Sequence, residues 1–267
     1  MRVHPSAVID PNARIGSGVR IGPFCQVGAE VELGDEVVLH AHVVIVGRTR
    51  LGPRTTVFPF ACLGHRPQDL KYRDEPTVLT VGSDCVLREG VTAHPGTARG
   101  GGETRIGDRC VLLAQAHVGH DCQVGSGAIL SNNVMLAGHV SVGEGAVLGG
   151  GAAVHQFSRI GEGAFLGGLS GLEGDLIPFG LALGDRAHLK GLNLVGLRRR
   201  KAPRASVKSL QRLVAGLFAD QDTLEERRDA LSRELGEDPY AAKVLAFLAR
   251  RGGRPLCRPS PRGARGP

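Results

Sequence analysis

Between residues 115 and 123 the chain reads QAHVGHDCQ, placing His117, His120 and Asp121 within five residues. An imidazole titrates near neutral pH, so His120 could take a proton from a hydroxyl and return it to a leaving group. A carboxylate that accepts from one ring nitrogen fixes the tautomer and raises basicity at the other, and Asp121 is the candidate for that role. Neighbouring residues on an extended strand point to opposite faces, so the pair can meet only if the chain turns a corner between them. No GxSxG elbow is present, and no CxxC pair occurs among Cys25, Cys62, Cys85, Cys110, Cys122 and Cys257. The signatures of a serine nucleophile, a zinc knuckle and a thioredoxin-like dithiol are therefore missing.

The element that must supply the corner is a six-residue repeat. Aliphatic residues recur every six positions from Val3 to Leu63, again at Val81, Leu87 and Ala93, and in a shifted phase from Ile106 to Leu172. Of these 26 hexads, 25 are led by Ile, Leu or Val and 14 have Gly next, a regularity that chance does not produce. A period of six fits neither an amphipathic helix nor simple alternation. It fits a short strand followed by a corner, three such sides closing a triangular coil of about 18 residues whose coils stack. The interior of such a coil is a narrow aliphatic column. That accounts for a chain of 267 residues with no Trp, 4% aromatics and 40 Gly. Cys25, Cys85, Cys110 and Cys122 all fall on the fifth hexad position and read as small core residues.

The register also tests the histidines. If residues 99–105 loop out, the hexads led by Ala93, Val118, Leu136 and Val154 lie above one another and carry His94, His120, His139 and His155. At the usual strand spacing these four span an outer strip of about 14 Å, with His117 at the corner before it. Such a strip suits proton transfer or metal binding, and sequence alone leaves both open. The lack of a nucleophile favours direct attack by a substrate hydroxyl on an acyl thioester, with a backbone N–H such as that of Gly138 as the candidate to receive the oxyanion.

Residues 69–80 form a second excursion from the register. Beyond Leu172, Pro178 and Gly180 mark a transition, 191–203 reads as a basic connector, and helices are expected over 207–218, 222–235 and 239–250. The resulting division is a β-helix over 1–184, a helical region over 185–252 and a disordered Arg/Pro/Gly-rich tail over 253–267. Residues 1–184 carry 14 Lys+Arg against 17 Asp+Glu, and residues 185–267 carry 19 against 9. The basic character thus belongs to the C-terminal third, where it could meet nucleic acid, an acidic membrane or an acidic protein. No nucleic-acid-binding fold accompanies it, which disfavours nucleic acid. Neither a signal-peptide core nor a membrane-spanning stretch is present, so a cytoplasmic, reducing setting is expected.

The hexads resemble those of the hexapeptide-repeat acyltransferases. QDLKY (68–72), EPT (75–77), GGGETRIGD (100–108), AHVGHDC (116–122), LAGHVSVG (136–143), AVHQF (153–157) and GLNLVGLRRR (191–200) together resemble the UDP-N-acetylglucosamine O-acyltransferase family. The resemblance implies a mainly β fold, a left-handed parallel β-helix followed by a small α-helical C-terminal domain. The general crossover rule would have given the opposite hand. It implies a homotrimer that needs no cofactor or metal and moves a 3-hydroxyacyl chain from acyl carrier protein to the 3-hydroxyl of UDP-N-acetylglucosamine, the first step of lipid A biosynthesis. His120 would be the base, Asp121 its orienting partner and Gly138 the oxyanion donor. Gln68, Asp69, Lys71, His94, His117, His139, His155 and Gln156 would line the substrate cleft. Asn193, Arg199 and Arg200 would meet the nucleotide, and Gly168 would gauge acyl length, its lack of a side chain leaving room for a longer chain. The acidic carrier protein then becomes the expected partner of the basic third. Pro95, Val195, Asp185 and Arg186 depart from the family's usual residues. The rival is a zinc hydro-lyase of the carbonic-anhydrase type, which shares the β-helix.

Overall fold

Each hexad contributes two residues of strand and four of corner. Strands such as Val111–Leu112, His117–Val118 and Gln123–Val124 follow one another around three faces. The computed structural model describes residues 2–219, 222–250 and 253–260. Across it the strands assemble into sheets of 11, 9 and 8 members, each strand of the coil pairing with the one three positions away in sequence until Phe165–Leu166 pairs with Gly180–Leu183 at the end of the first sheet. The result is the stacked triangular coil that the hexads imply, with the left-handed parallel form that the family resemblance implies. Leading residues point inward. Leu63, Leu87, Leu112, Leu130, Leu148 and Leu166 are fully buried, as are Cys85, Cys110 and Cys122.

Closing a triangle with four-residue corners brings one residue of most corners into the left-handed region. At fourth hexad positions non-glycine residues adopt it repeatedly, among them Asp121 (φ 60°), His139 (φ 62°) and Phe157 (φ 65°). A left-handed non-glycine residue costs roughly 1 kcal/mol. A hydrogen bond between coils offsets the cost, as where His139 N–H donates to the His120 carbonyl at 2.8 Å. Corner residues therefore keep functional side chains where glycine would leave none.

The excursions sit slightly differently from the sequence expectation. Val78–Val81 and Glu103–Ile106 are four-residue strands in register with Arg48–Leu51. The departures are thus 64–77 and 94–102, because the third sheet reclaims residues 78–80 and 103–105. The first loop is pinned by Tyr72, whose hydroxyl donates to the Glu75 carbonyl at 2.9 Å, while Arg66 donates to the Tyr72 carbonyl at 2.9 Å.

The coil ends in an antiparallel hairpin, Gly180–Leu183 with His188–Leu192, that extends the first sheet past residue 184. A short helix not foreseen in the connector follows, α1 (Leu194–Arg199). Then come α2 (Arg204–Leu217), α3 (Leu224–Leu235) and α4 (Pro239–Ala249), close to the expected ranges. A capping box of Thr223 and Glu226 starts α3, and Asp238 caps α4.

The expectation of a disordered tail fails over residues 253–260. Leu256 and Cys257 are buried, and the segment pairs with Asp175 and Leu189. Backbone pairing with the last coil supplies what composition could not reveal. Residues 261–267 lie outside the described residues. Among the described residues no helix is long and apolar enough to cross a membrane.

Candidate active site

The second sheet aligns Ala93, Val118, Leu136 and Val154 in consecutive coils, so the histidine column exists as the register required. The left-handed backbone at Asp121 turns its side chain to the same side as His120. His120 Nδ1 and Asp121 Oδ2 lie 2.7 Å apart. The carboxylate is fully buried and held on every side. It accepts from Thr97 N–H (2.8 Å, Oδ1) and Thr97 Oγ1–H (2.7 Å, Oδ2), and Asp121 N–H donates to Thr104 Oγ1 at 2.7 Å. Gly100 presses its backbone against the carboxylate, where a Cβ would approach Asp121 Cγ to 2.0 Å. A carboxylate at Nδ1 places the ring proton there and leaves Nε2 with its lone pair.

Around this pair the rings interlock. His139 meets His120 edge-on with centroids 5.0 Å apart, and Phe157 stacks on His139 at 4.4 Å. His94 and His117 form a tilted pair at 5.3 Å, and His117 Nδ1 lies 2.8 Å from Thr92 Oγ1. Burial, reinforced by His94 and His120, pushes His117 down to about 4. Burial also lowers His94 and, against the pull of Asp121, His139. His94 donates from Nδ1 to the His65 carbonyl at 2.9 Å, while its buried Nε2 has no protein partner. In each case burial favours the neutral ring.

Gly138 stacks directly on the His120 ring. A Cβ there would lie 2.5 Å from both Cε1 and Nε2 of His120. Its N–H donates to no group among the described residues, as is usual for the third hexad position, which Pro23, Pro53 and Pro59 occupy elsewhere. A free donor beside the His120 ring can receive an oxyanion. The thiol next to Asp121 is no nucleophile: burial pushes Cys122 up to about 12, and its Sγ faces the Ala137 carbonyl.

Asp69 leans toward this edge on the 64–77 loop. The Lys71 N–H bonds to its carboxylate at 2.9 Å and holds it below its usual range, helped by His120 and Arg99. Gln68 and Lys71 are exposed beside it. His155 and Gln156 occupy the next coil after His139.

The remaining expected residues lie elsewhere on the prism. Asn193 caps α1, accepting from Gly196 N–H at 2.9 Å and donating to the Gly163 carbonyl at 3.0 Å. Arg200 donates to Glu162 (3.2 Å) and to the Glu144 carbonyl (3.0 Å), and Arg199 is exposed nearby. These groups share the edge between the third and first faces. Gly168 is exposed on the edge between the first and second faces. One chain does not bring either group to His120. Thr97 and Thr104, which hold Asp121, were not singled out as site residues by sequence. Contacts across coils expose their role, and hexad position does not.

Zinc would compete for groups already in use. His120, Asp121 and His139 cluster closely, but the Asp121 oxygens already accept from Thr97 and face His120 at hydrogen-bond distance. The hydro-lyase reading is not favoured.

A hexad β-helix with a carboxylate-held histidine at its corner and a glycine over the ring defines a hexapeptide-repeat acyltransferase. The comparisons agree. Residues 12–47 and 103–138 match the bacterial transferase hexapeptide model, and residues 175–257 match the model of UDP N-acetylglucosamine O-acyltransferase, domain 2. An acyl-[acyl-carrier-protein]–UDP-N-acetylglucosamine O-acyltransferase of Methylobacterium radiotolerans is 62% identical over 203 residues, 76% of this chain and 75% of its own. The enzyme so named from Rhizobium johnstonii is 45% identical over 265 residues, 99% of this chain and 97% of its own. The crystal structure of a UDP-N-acetylglucosamine acyltransferase superposes with a TM-score of 0.94 at 37% identity, covering 98% of this chain and all of that one. The acyltransferase from Campylobacter jejuni gives 0.89 at 38% identity, covering 96% and 100%. The chain belongs to the acyl-[acyl-carrier-protein]–UDP-N-acetylglucosamine O-acyltransferases.

Proposed function

We propose that this acyltransferase moves a 3-hydroxyacyl chain from acyl carrier protein to the glucosamine 3-hydroxyl of UDP-N-acetylglucosamine, the first step of lipid A biosynthesis, with His120 as general base. The observation that carries the assignment is the His120–Asp121 pair, which leaves Nε2 free to accept a proton. The sugar hydroxyl gives its proton to Nε2 as its oxygen attacks the thioester carbonyl. Gly138 N–H stabilises the oxyanion. Collapse expels the thiolate, which takes the proton back from the imidazolium. Asp69, Lys71, His94, His117, His139, His155 and Gln156, with Gln68 at the rim, bind the acceptor and the acyl chain.

Asn193, Arg199 and Arg200 sit on one edge, Gly168 on a second and the histidines on a third. A convex prism makes a cleft from these edges only when copies face each other, which supports a homotrimer with sites between subunits. Guanidinium groups suit a diphosphate, and Gly168 leaves space for a longer acyl chain. The basic C-terminal third suits an acidic carrier protein, and six free thiols suit a cytoplasmic setting.

His120→Ala tests the base. Transfer from acyl carrier protein should fall by at least ~100-fold while the trimer stays folded; a folded variant with near wild-type turnover would remove His120 from the role. Donors of graded length test Gly168, and a clear preference for the shortest would refute the longer-chain reading.

A further inference from the structure

The C-terminal strap reaches the histidine column. Residues 255–257 pair with the last coil: Asp175 N–H donates to the Pro255 carbonyl and Cys257 N–H to the Asp175 carbonyl, both at 2.8 Å. Further on, Leu189 N–H donates to the Arg258 carbonyl at 2.9 Å. Beneath the strap, the Asp175 carboxylate, 1% exposed, accepts from Arg159 Nε (2.9 Å) and Nη2 (2.7 Å). Arg159 also donates to the carbonyls of Phe247 and Arg250 at the end of α4, and its guanidinium lies over the Phe247 ring. The strap is thus fastened to the coil, and the coil to the helical region.

From this anchored strap Arg254 points back along the second-to-third edge. Its Nε–H donates to the Gln156 carbonyl at 2.9 Å, and its Nη2 lies 2.6 Å from His155 Nδ1. A guanidinium has only donors, so His155 Nδ1 must accept and the ring proton must sit on Nε2. Asp121 imposes the opposite arrangement on His120. The 3.2 Å approach of the Gln156 carbonyl to the same Nδ1 then joins two acceptors across one shared cation.

We propose that Arg254 is a positioning residue that fixes His155 as a neutral Nε2–H donor and holds the His155–Gln156 corner in place. The proposal rests on the reading that His155 lines the acceptor cleft. It divides the column by function: a ring held with a free lone pair at His120 takes the proton, and a ring held with a free N–H at His155 binds an acceptor oxygen. The strap, which composition reads as a disordered tail, is therefore a part of the site.

The test is a double-mutant cycle in the full-length enzyme, with Arg254→Ala, His155→Ala and the pair. Expected is a roughly tenfold rise in KM for UDP-N-acetylglucosamine with each single variant, kcat changing less, and no further rise in the pair. Additive losses would mean that Arg254 acts elsewhere and would overturn the proposal. So would a silent Arg254→Ala beside an impaired His155→Ala, which leaves the cleft reading standing. A silent His155→Ala removes His155 from the cleft and overturns both. Imidazole 15N spectra of histidine-labelled enzyme give a second readout, with Nε2–H dominant at His155 in the wild type and mixed tautomers in Arg254→Ala; an unchanged spectrum counts against the proposal. If Arg254→Ala does not fold, Arg254→Lys carries the same spectra and kinetics, since it keeps the charge and loses the fork.

Discussion

His120 and Asp121 are consecutive in sequence, yet their side chains meet at 2.7 Å because Asp121 adopts φ 60°. A strand would have sent them to opposite faces. The hexad corner is what makes an adjacent His-Asp dyad possible. Asp121→Asn should uncouple geometry from chemistry. A carboxamide can turn its NH2 toward Nδ1, which drives the proton to Nε2 and blocks the base. Turnover should fall by roughly 10²–10⁴, the scale seen when a dyad is held in the wrong tautomer. The amide also leaves one Thr97 donor without its anionic acceptor, so the urea midpoint should fall by an amount equivalent to about 1–3 kcal/mol. Circular dichroism and single-turnover transfer separate the two effects. Full activity in a folded Asn variant would rule out the dyad.

Gly138 was legible as a candidate, but the reason for glycine was not. Its backbone is not left-handed, so Ala fits the chain; the obstacle is the His120 ring, 2.5 Å from where a Cβ would stand. Gly138→Ala should fold normally and displace the imidazole, lowering kcat by about 10², as a misplacement near 1 Å does. An unchanged kcat would show that the ring has room to move.

The repeat, the inward cysteines and the histidine column could be read from sequence because each follows from a period of six. What lies between coils could not. Thr97 and Thr104 reach Asp121 across an excursion whose path has no periodicity. Asn193 and Arg200 look like free phosphate ligands in GLNLVGLRRR, yet in one chain they bond to Gly163, Glu162 and the Glu144 carbonyl. Composition hides the strap because burial of Leu256 and Cys257 depends on the coil end they cover, not on their neighbours in sequence.

Thr97→Val removes one hydroxyl donor from the buried carboxylate while keeping shape and the backbone N–H bond. Charge-assisted bonds of this kind contribute roughly 1.5–3 kcal/mol. The loss should appear as lowered stability and, through a looser Asp121, a kcat reduced about tenfold with KM little changed. Steady-state kinetics with varied acceptor decide it. A change confined to KM would place Thr97 at the substrate instead of behind the base.

His117 gives a pH dependence of definite sign. Burial, then His94 and His120, lowers it from the usual 6.5 to about 4. The folded state therefore favours the neutral ring. Above pH 6.5 both states are neutral and the fold keeps its full stability. As pH falls from 6.5 toward 4 the unfolded chain takes up a proton that the folded chain refuses, and stability is lost across that window. A shift of this size corresponds to at most about 3 kcal/mol, less what solvent screening at a partly exposed ring removes. The lowered His94 and His139 act in the same direction. His117→Gln should flatten part of the decline when urea midpoints are compared at pH 7.5 and 4.5. If wild type and variant decline in parallel, the buried neutral His117 is not the group responsible.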